Sequence, residues 1–237
     1  MSGVRKLSII IPAYNEAKTI RRIVEKIFQV SFPIDYEVLI VDDHSTDRTY
    51  RIAHLLNRRD LSRRIRIFHN EINRGKGYCI RRGFQEAAGD IVVVQDADFE
   101  YDPGQIPGLL NPILEGKTQT VYGSRFLGAS WPAGMALPNC MANRFLTWLT
   151  NILFGSKLTD METCYKLIKK DVVDKIQLNA QRFDFEPEIT ACLLKKGVKI
   201  LEYPIDYHGR TAKQGKKIKG KDFFIAIRTL FSCRFLR

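Results

Sequence analysis

The run Ile91-Val92-Val93-Val94, set between Gly89 and an acidic tail, constrains the fold more than any other part of the chain. Consecutive β-branched residues bounded by a glycine fit a strand buried on both faces, the pattern of a mostly parallel sheet. Behind the run come Asp96, Asp98 and Glu100. In an extended chain alternate side chains project to one side, so these carboxylates would share a face. Ligands of open α/β sheets bind beyond the carboxyl ends of the strands, which is where the acids fall. Clustered carboxylates repel one another, and oxygen-only donors suit Mg²⁺ or Mn²⁺ held jointly with substrate phosphates. A solvated acidic loop after a core strand is the plain alternative.

The rest of the chain repeats the strand-then-helix unit. Residues 7–11, 37–41, 65–68 and 120–122 read as further strands, the first stopped by Pro12. From Asn15-Glu16 an amphipathic helix carries Ile20, Ile23, Val24, Ile27 and Phe28 on one face. Ser45 or Thr46 is placed to cap the next, which carries Ile52, Leu55 and Leu56, and Asp102-Pro103 opens another. Such alternation predicts an α/β fold, a mostly parallel sheet with right-handed crossovers. After Arg125 the rhythm changes. Residues 127–137, rich in Gly, Ala and Pro, read as a mobile loop, and 139–154 as an unusually apolar helix. A short strand at 165–168, a helix at 185–195 and a strand at 200–207 follow, with Pro204 favouring a sheet edge.

With 237 residues, 45% of them hydrophobic, the chain can bury the core of one large α/β domain. Its five cysteines are scattered without any Cys-x-x-Cys, which points to free thiols in a reducing compartment. No charged-then-apolar leader precedes Leu7, and no apolar run approaches the ~18 residues of a spanning helix. The net charge of +12 draws polyanions: nucleic acid, anionic membrane or phosphorylated substrates. Between Arg210 and Lys221 stand six cations and no acid. Zinc-finger spacing, RNA-binding aromatics and heptads are all missing, which argues against nucleic acid. Phosphate chemistry at a membrane surface fits better, with a cytoplasmic chain peripheral on the cytoplasmic face of the membrane.

Five motifs in order then carry a resemblance: Ile10-Ile11-Pro12-Ala13-Tyr14-Asn15-Glu16, Val41-Asp42-Asp43-His44-Ser45-Thr46-Asp47, Asp96-Ala97-Asp98, Gly123-Ser124-Arg125, and Arg210 with Gly215-Lys216-Lys217-Ile218. Together they resemble the family 2 glycosyltransferases of the GT-A fold, especially the polyprenol-phosphate sugar transferases typified by dolichyl-phosphate mannose synthase. The resemblance implies a GT-A catalytic domain over residues 1–220, with 221–237 as an amphipathic helix for a membrane surface or for packing. It implies that Pro12, Tyr14, Glu16, Val41 and Asp43 line the pocket for base and ribose, Asp43 rather than Asp42 touching the ligand. Asp96 with Ala97 would sit by the nucleotide, while Asp98 and Glu100 hold Mg²⁺ or Mn²⁺. Relatives often have Gln at the position of Glu100.

Arg125, Arg210, Lys213 and Lys217 match or neighbour phosphate-binding positions, where a guanidinium fork can take two oxygens. Asp160, in Asp160-Met161-Glu162-Thr163-Cys164-Tyr165-Lys166-Leu167, is a candidate for orienting the acceptor, with an ion-paired role as the alternative. Were the acceptor a hydroxyl, Asp160 or Glu186 would be the base. Phe183-Asp184-Phe185-Glu186 otherwise reads as scaffold, and Lys76 in Gly75-Lys76-Gly77 as an exposed residue of a flexible turn, with a place facing the nucleotide from a helix start as the alternative. On the C-terminal segment Phe223, Phe224, Ile227, Leu230 and Phe231 would share one apolar face, beside Lys221, Arg228 and Arg234.

The implied activity is metal-dependent, inverting transfer of a sugar from a nucleoside-diphosphate sugar to a polyprenyl phosphate, with homo-oligomerisation open. Transfer to a saccharide or protein hydroxyl is the alternative enzyme. A non-catalytic nucleotide or nucleic-acid binding module is the alternative from another class.

Overall fold

Strands form where the β-branched runs fall. The computed structural model describes residues 3–128, 131–209 and 220–236. Among these, β1 (Lys6–Ala13), β2 (Asp35–Asp42), β3 (Ile65–His69), β4 (Ile91–Val94), β5 (Thr120–Ser124), β6 (Lys166–Lys169) and β7 (Ile200–Pro204) make one sheet in the order β3-β2-β1-β4-β6-β5-β7. The helices are α1 (Ile20–Phe28), α2 (Thr49–Arg59), α3 (Lys76–Glu86), α4 (Ile106–Leu114), α5 (Leu137–Phe154), α6 (Lys170–Val173), α7 (Phe185–Lys195) and α8 (Gly220–Phe235). The central strands are buried on both faces: Leu7, Ile9, Ile10, Val38, Leu39, Ile40, Ile91, Val92 and Val93 have no exposed surface.

One expectation about the sheet is corrected. Pro12 does not stop β1, which runs on to Ala13 and pairs Pro12 with Val41. Along β1 the peptide groups face β2 and β4 alternately. Ala13 O accepts from Asp43 on the β2 side and Ile10 O from Gln95 on the β4 side. Pro12 therefore turns its missing N–H toward β4, where pairing has already ended at Ile10–Val94. The sheet is mostly parallel as expected, with one reversed strand: β6 lies antiparallel to both β4 and β5. Because β6 is reversed, the residues before it emerge at the edge where the other strands end.

The loops after β1 and β2 are laced together. Asn15 Oδ1 accepts the N–H groups of Thr46 (2.9 Å) and Asp47 (3.3 Å), and Ser45 Oγ accepts the Asn15 N–H (3.0 Å). Ser45 and Thr46 thus belong to the turn. Asp47, which takes the N–H of Thr49 at 2.8 Å, stands at the start of α2 in their place. Asp102 caps the next turn as expected, accepting from the Gly104 N–H at 2.9 Å beside Pro103.

A second, smaller core joins α5, α7 and α8 through Leu146, Met161, Ala191, Ala226, Leu230 and Cys233. The single apolar face expected of the C-terminal segment is split in two. Ala226, Leu230 and Cys233 are buried, with Phe223 and Ile227 partly so, whereas Phe224, Phe231 and Phe235 point outward. On α5 the exposed side carries Leu137, Met141, Phe145, Trp148 and Ile152. Among the described residues no helix is long and apolar enough to cross a membrane.

Candidate active site

The ends of β1, β2 and β4 lie side by side, so the motifs that follow them gather at one edge. Pro12, Tyr14 and Glu16 are partly buried there. Glu16 accepts the Thr19 hydroxyl at 2.9 Å and gives its N–H to Thr49 Oγ1 at 2.7 Å. Val41, expected in the pocket lining, is a core residue with no exposed side chain. Asp42 is equally buried: Oδ2 meets His69 Nδ1 at 2.8 Å, while Oδ1 has no hydrogen-bond partner. Asp43, also buried, takes the Asn70 amide (2.8 Å) and the N–H groups of Arg74 (2.9 Å) and Gly75 (2.7 Å). Three of the roughly four acceptor sites of this carboxylate are thereby used. Its first task is to hold the loop that leads into α3.

That loop explains Gly75-Lys76-Gly77. Gly75 has φ of +94°, and a Cβ there would stand 2.5 Å from Gln181 O. At Gly77 a Cβ would meet Ala180 O and Arg182 O at 2.9 Å each. The missing side chains let the first turn of α3 press against the main chain at 180–182, with Gly77 N–H bonding Arg182 O and Tyr78 N–H bonding Gln181 O. Lys76 is thus carried inward, against the expectation of an exposed turn. Its ammonium lies 2.9 Å from Asp96 Oδ1 and 3.1 Å from Glu186 Oε1. Burial disfavours the charge, but Asp96 and Glu186 more than offset this and push the lysine pKa well above its usual value.

The acidic tail of β4 does not stay extended. The strand ends at Val94 and residues 97–101 bend. Ala97 is buried. Asp98, itself buried, folds back so that Oδ1 accepts the Glu100 N–H at 2.9 Å, and Glu100 Oε2 accepts the Tyr207 hydroxyl at 2.8 Å. The shared-face arrangement is therefore replaced by a tight turn. Among the described residues no group of three or more His, Cys, Asp or Glu side chains is gathered to hold a metal. What the turn offers is hard oxygen donors from one short segment, Asp98 and Glu100. That set fits Mg²⁺ or Mn²⁺, which bind through one or two carboxylates and complete their shells with phosphate oxygens and water.

Across the edge, Arg125 follows β5 and Asp160 precedes β6. Arg125 Nε and Nη2 each reach a different oxygen of Asp160 at 2.7 Å, and the Arg125 N–H adds a bond at 3.0 Å. Asp160 is fully buried and its carboxylate pairs with Arg125, the ion-paired alternative of the two roles open to it. Arg210, Lys213 and Lys217 lie outside the described residues.

These pieces meet in a cavity of about 270 Å³. Asp96, Glu100 and Arg125 line it from the sheet edge, α5 contributes Asn139 and Asn143, and α8 contributes Asp222 and Phe223. Lys76, Glu186, Glu162 and Cys164 line it too, and sequence reasoning gave none of them a firm place there. For Lys76 the signal was present in its paired glycines. Burial pushes the Cys164 thiol pKa well up, with Asp96 adding to the effect, so this cysteine is no thiolate nucleophile.

The same chemistry and architecture recur in known proteins. The profile of Glycosyl transferase family 2 matches residues 8–177. A dolichol-phosphate mannosyltransferase of Pyrococcus furiosus is 31% identical over 234 residues, covering 95% of this chain and 63% of that protein. The low-salt glycan biosynthesis hexosyltransferase Agl6 of Haloferax volcanii is 28% identical over 206 residues, 86% of this chain and 48% of its own length. The chain thus spans less than two thirds of these relatives. Among solved structures, glucosyl-3-phosphoglycerate synthase of Mycobacterium tuberculosis in complex with Mn²⁺, uridine diphosphate and phosphoglyceric acid superposes with a TM-score of 0.74 at 19% identity, over 98% of this chain and 79% of that one. Mannosyl-3-phosphoglycerate synthase of Rubrobacter xylanophilus gives 0.74 at 21%, over 96% and 73%. The fold is that of the GT-A glycosyltransferases. The chain belongs to glycosyl transferase family 2.

Proposed function

We propose that the protein moves a hexosyl group from a nucleoside-diphosphate sugar to a polyprenyl phosphate, with inversion at the anomeric carbon. The observation that carries this reading is the make-up of the cavity. A polar end of Asp96, Glu100 and Arg125 is walled by α5 and α8, whose outer sides are apolar. Pro12, Tyr14, Glu16 and the remaining acceptor capacity of Asp43 serve base and ribose. Asp96 and Ala97 adjoin the nucleotide, and Asp98 with Glu100 would hold Mg²⁺ or Mn²⁺. A bound divalent ion would offset the charge that grows on the leaving diphosphate. Arg125, fixed by Asp160 acting as a positioning residue, supplies permanent positive charge to phosphate oxygens.

In the step itself an acceptor phosphate oxygen forms a bond to the anomeric carbon as the bond to the diphosphate breaks, releasing nucleoside diphosphate. A lipid phosphate is already anionic near neutral pH, so no strong base is required. Peripheral membrane contact is supported by the outer faces of α5 and α8. Trp148, Phe145, Phe224 and Phe231 are exposed beside the exposed cations Arg144, Arg228 and Arg234. The α5 sequence contains no acid, and the one acid of α8, Asp222, is buried.

A second reading, transfer to a saccharide hydroxyl, is favoured by the Glu162 and Glu186 carboxyls on the cavity wall. Screening UDP- and GDP-sugars for release of nucleoside diphosphate, with and without polyprenyl phosphate, decides between them. The primary reading expects release to be stimulated by polyprenyl phosphate and a glycosylated lipid to form. Stimulation by saccharides alone would overturn it.

A further inference from the structure

Glu162 stands in the most tightly pinned segment of the site. The Thr159 and Asp160 N–H groups bond Glu202 at 2.7 and 3.0 Å, and the Met161 N–H bonds Thr147 Oγ1 at 3.0 Å. Thr163 Oγ1 donates to Gly123 O at 2.6 Å, and the Cys164 N–H donates to Tyr101 Oη at 3.2 Å. From below, the Lys166 ammonium caps the carbonyls of Met161 (2.9 Å) and Thr163. Neighbours on both sides are fixed, yet Glu162 itself is not. Its Oε1 is buried with no hydrogen-bond partner, and the side chain lines the cavity. Orphaned buried carboxyl oxygens are costly and uncommon, and a rigid loop that presents one to a cavity is arranged for something that fills it.

We infer that Glu162 is a specificity-determining residue whose carboxyl group hydrogen-bonds a hydroxyl of the bound ligand, on the transferred sugar or on the acceptor. The inference rests on the transferase reading above. A phosphate is a poor occupant, because Glu186 lies on the same wall. A hydroxyl matches better, since it donates and accepts, as a carboxylic acid does. Burial first, then Glu186, raises the Glu162 pKa to about 8, with Lys166 and Arg125 pulling the other way and Asp160 adding to the rise. The group is therefore mostly protonated at neutral pH. Other charged groups on the cavity are Lys76 from α3, Asp96 and Glu100 after β4, and Asp222 from α8; the α5 residues lining it carry no charge. A site built to bond a hydroxyl in this way also discriminates against ligands that lack it.

The test uses the full chain, with UDP-glucose, GDP-mannose, UDP and GDP titrated calorimetrically in the presence of Mn²⁺, and KM measured for polyprenyl phosphate and for glucose as acceptors. If the hydroxyl is on the donor sugar, Glu162→Ala weakens the nucleotide sugar about tenfold and leaves the nucleoside diphosphate unchanged. If it is on the acceptor, donor affinity is unchanged and the acceptor KM rises about tenfold. Glu162→Gln, which keeps a neutral donor and acceptor, restores most of the loss. The melting temperature of Glu162→Ala is unchanged or raised, since an unpartnered buried oxygen is removed. All constants within twofold of wild type in Glu162→Ala would overturn the inference alone. A wild-type protein that binds neither nucleotide sugars nor diphosphates would overturn it together with the transferase reading.

Discussion

Arg125 and Asp160 form a closed unit, two parallel 2.7 Å bonds between a buried guanidinium and a fully buried carboxylate. Burial works against the charge on Arg125, and Asp160 leads the groups that overcome it, so the arginine pKa lies well above its usual value. Asp160→Ala strands that cation and is expected to lower stability by about 3–5 kcal/mol in urea unfolding. The double variant Arg125→Met/Asp160→Leu should regain much of the loss while remaining inactive. Equal stability of Asp160→Ala and wild type would show that the pair is not the anchor described.

Asp98 is expected to couple metal to donor. Asp98→Ala should bind UDP or GDP with the same affinity with and without Mn²⁺, whereas wild type should bind more tightly with Mn²⁺. Circular dichroism should show the fold intact, since the Asp98–Glu100 bond closes one local turn. A full Mn²⁺ response in the variant removes Asp98 from the metal site.

Glu37 gives a pH-dependent contribution. It is buried on β2, accepts the Ser8 hydroxyl and the Ala88 N–H at 2.7 Å each, and lies 3.5 Å from Lys6 and 3.4 Å from Arg66. Burial raises its pKa, but these partners together bring it below the usual 4.5. A depressed folded-state pKa means stability that is present above the unfolded value and lost as pH falls through the folded one. Unfolding measured from pH 7 down to pH 3 should show wild type losing its advantage over Glu37→Gln below about pH 4.5. At pH 7 that advantage should be about 1–3 kcal/mol. Parallel curves would refute this.

The outer faces of α5 and α8 are the predicted membrane contact. Deleting α8 is a poor probe, because Leu230 and Cys233 belong to the second core. Trp148→Ser and Phe231→Ser alter exposed positions and should leave the melting temperature within a few degrees of wild type. Sedimentation with phosphatidylglycerol vesicles should fall several-fold for the pair of substitutions and be weakened by salt. Unchanged sedimentation would point these faces at a protein partner.

Much of this was readable in the sequence because strand burial and turn chemistry are local. The run Ile91-Val92-Val93-Val94 announces β4, and Asp102-Pro103 announces the turn it caps. What was not readable depends on partners far along the chain. The direction of β6 follows from where α5 and the segment after it return, which no period of four residues encodes. Asp160 looks like any acid before a strand until Arg125, 35 positions earlier, is set against it. Lys76 was taken for a surface residue because the carbonyls that hold α3 come from residues 180–182. Val41 and Pro12 pair in register but differ in environment, Val41 being fully buried and Pro12 only partly.

The sheet order also has a mechanical meaning. The strands β3, β2, β1 and β4 derive from residues 6–94 alone, and β6, β5 and β7 from residues 120–204. Within the sheet the halves join along one short antiparallel seam, Ile91–Lys169 and Val92–Ile168, while a common core and the α3 contacts at 181–182 join them outside it. Asp96 and Glu100 stand on one side of this seam, Arg125, Glu162 and Glu186 on the other, with the Lys76–Glu186 ion pair reaching across. A ligand held from both sides would touch both halves of the chain at once. Its binding would stabilise the two together by mass action, so resistance to unfolding should rise with its concentration on both sides of the seam.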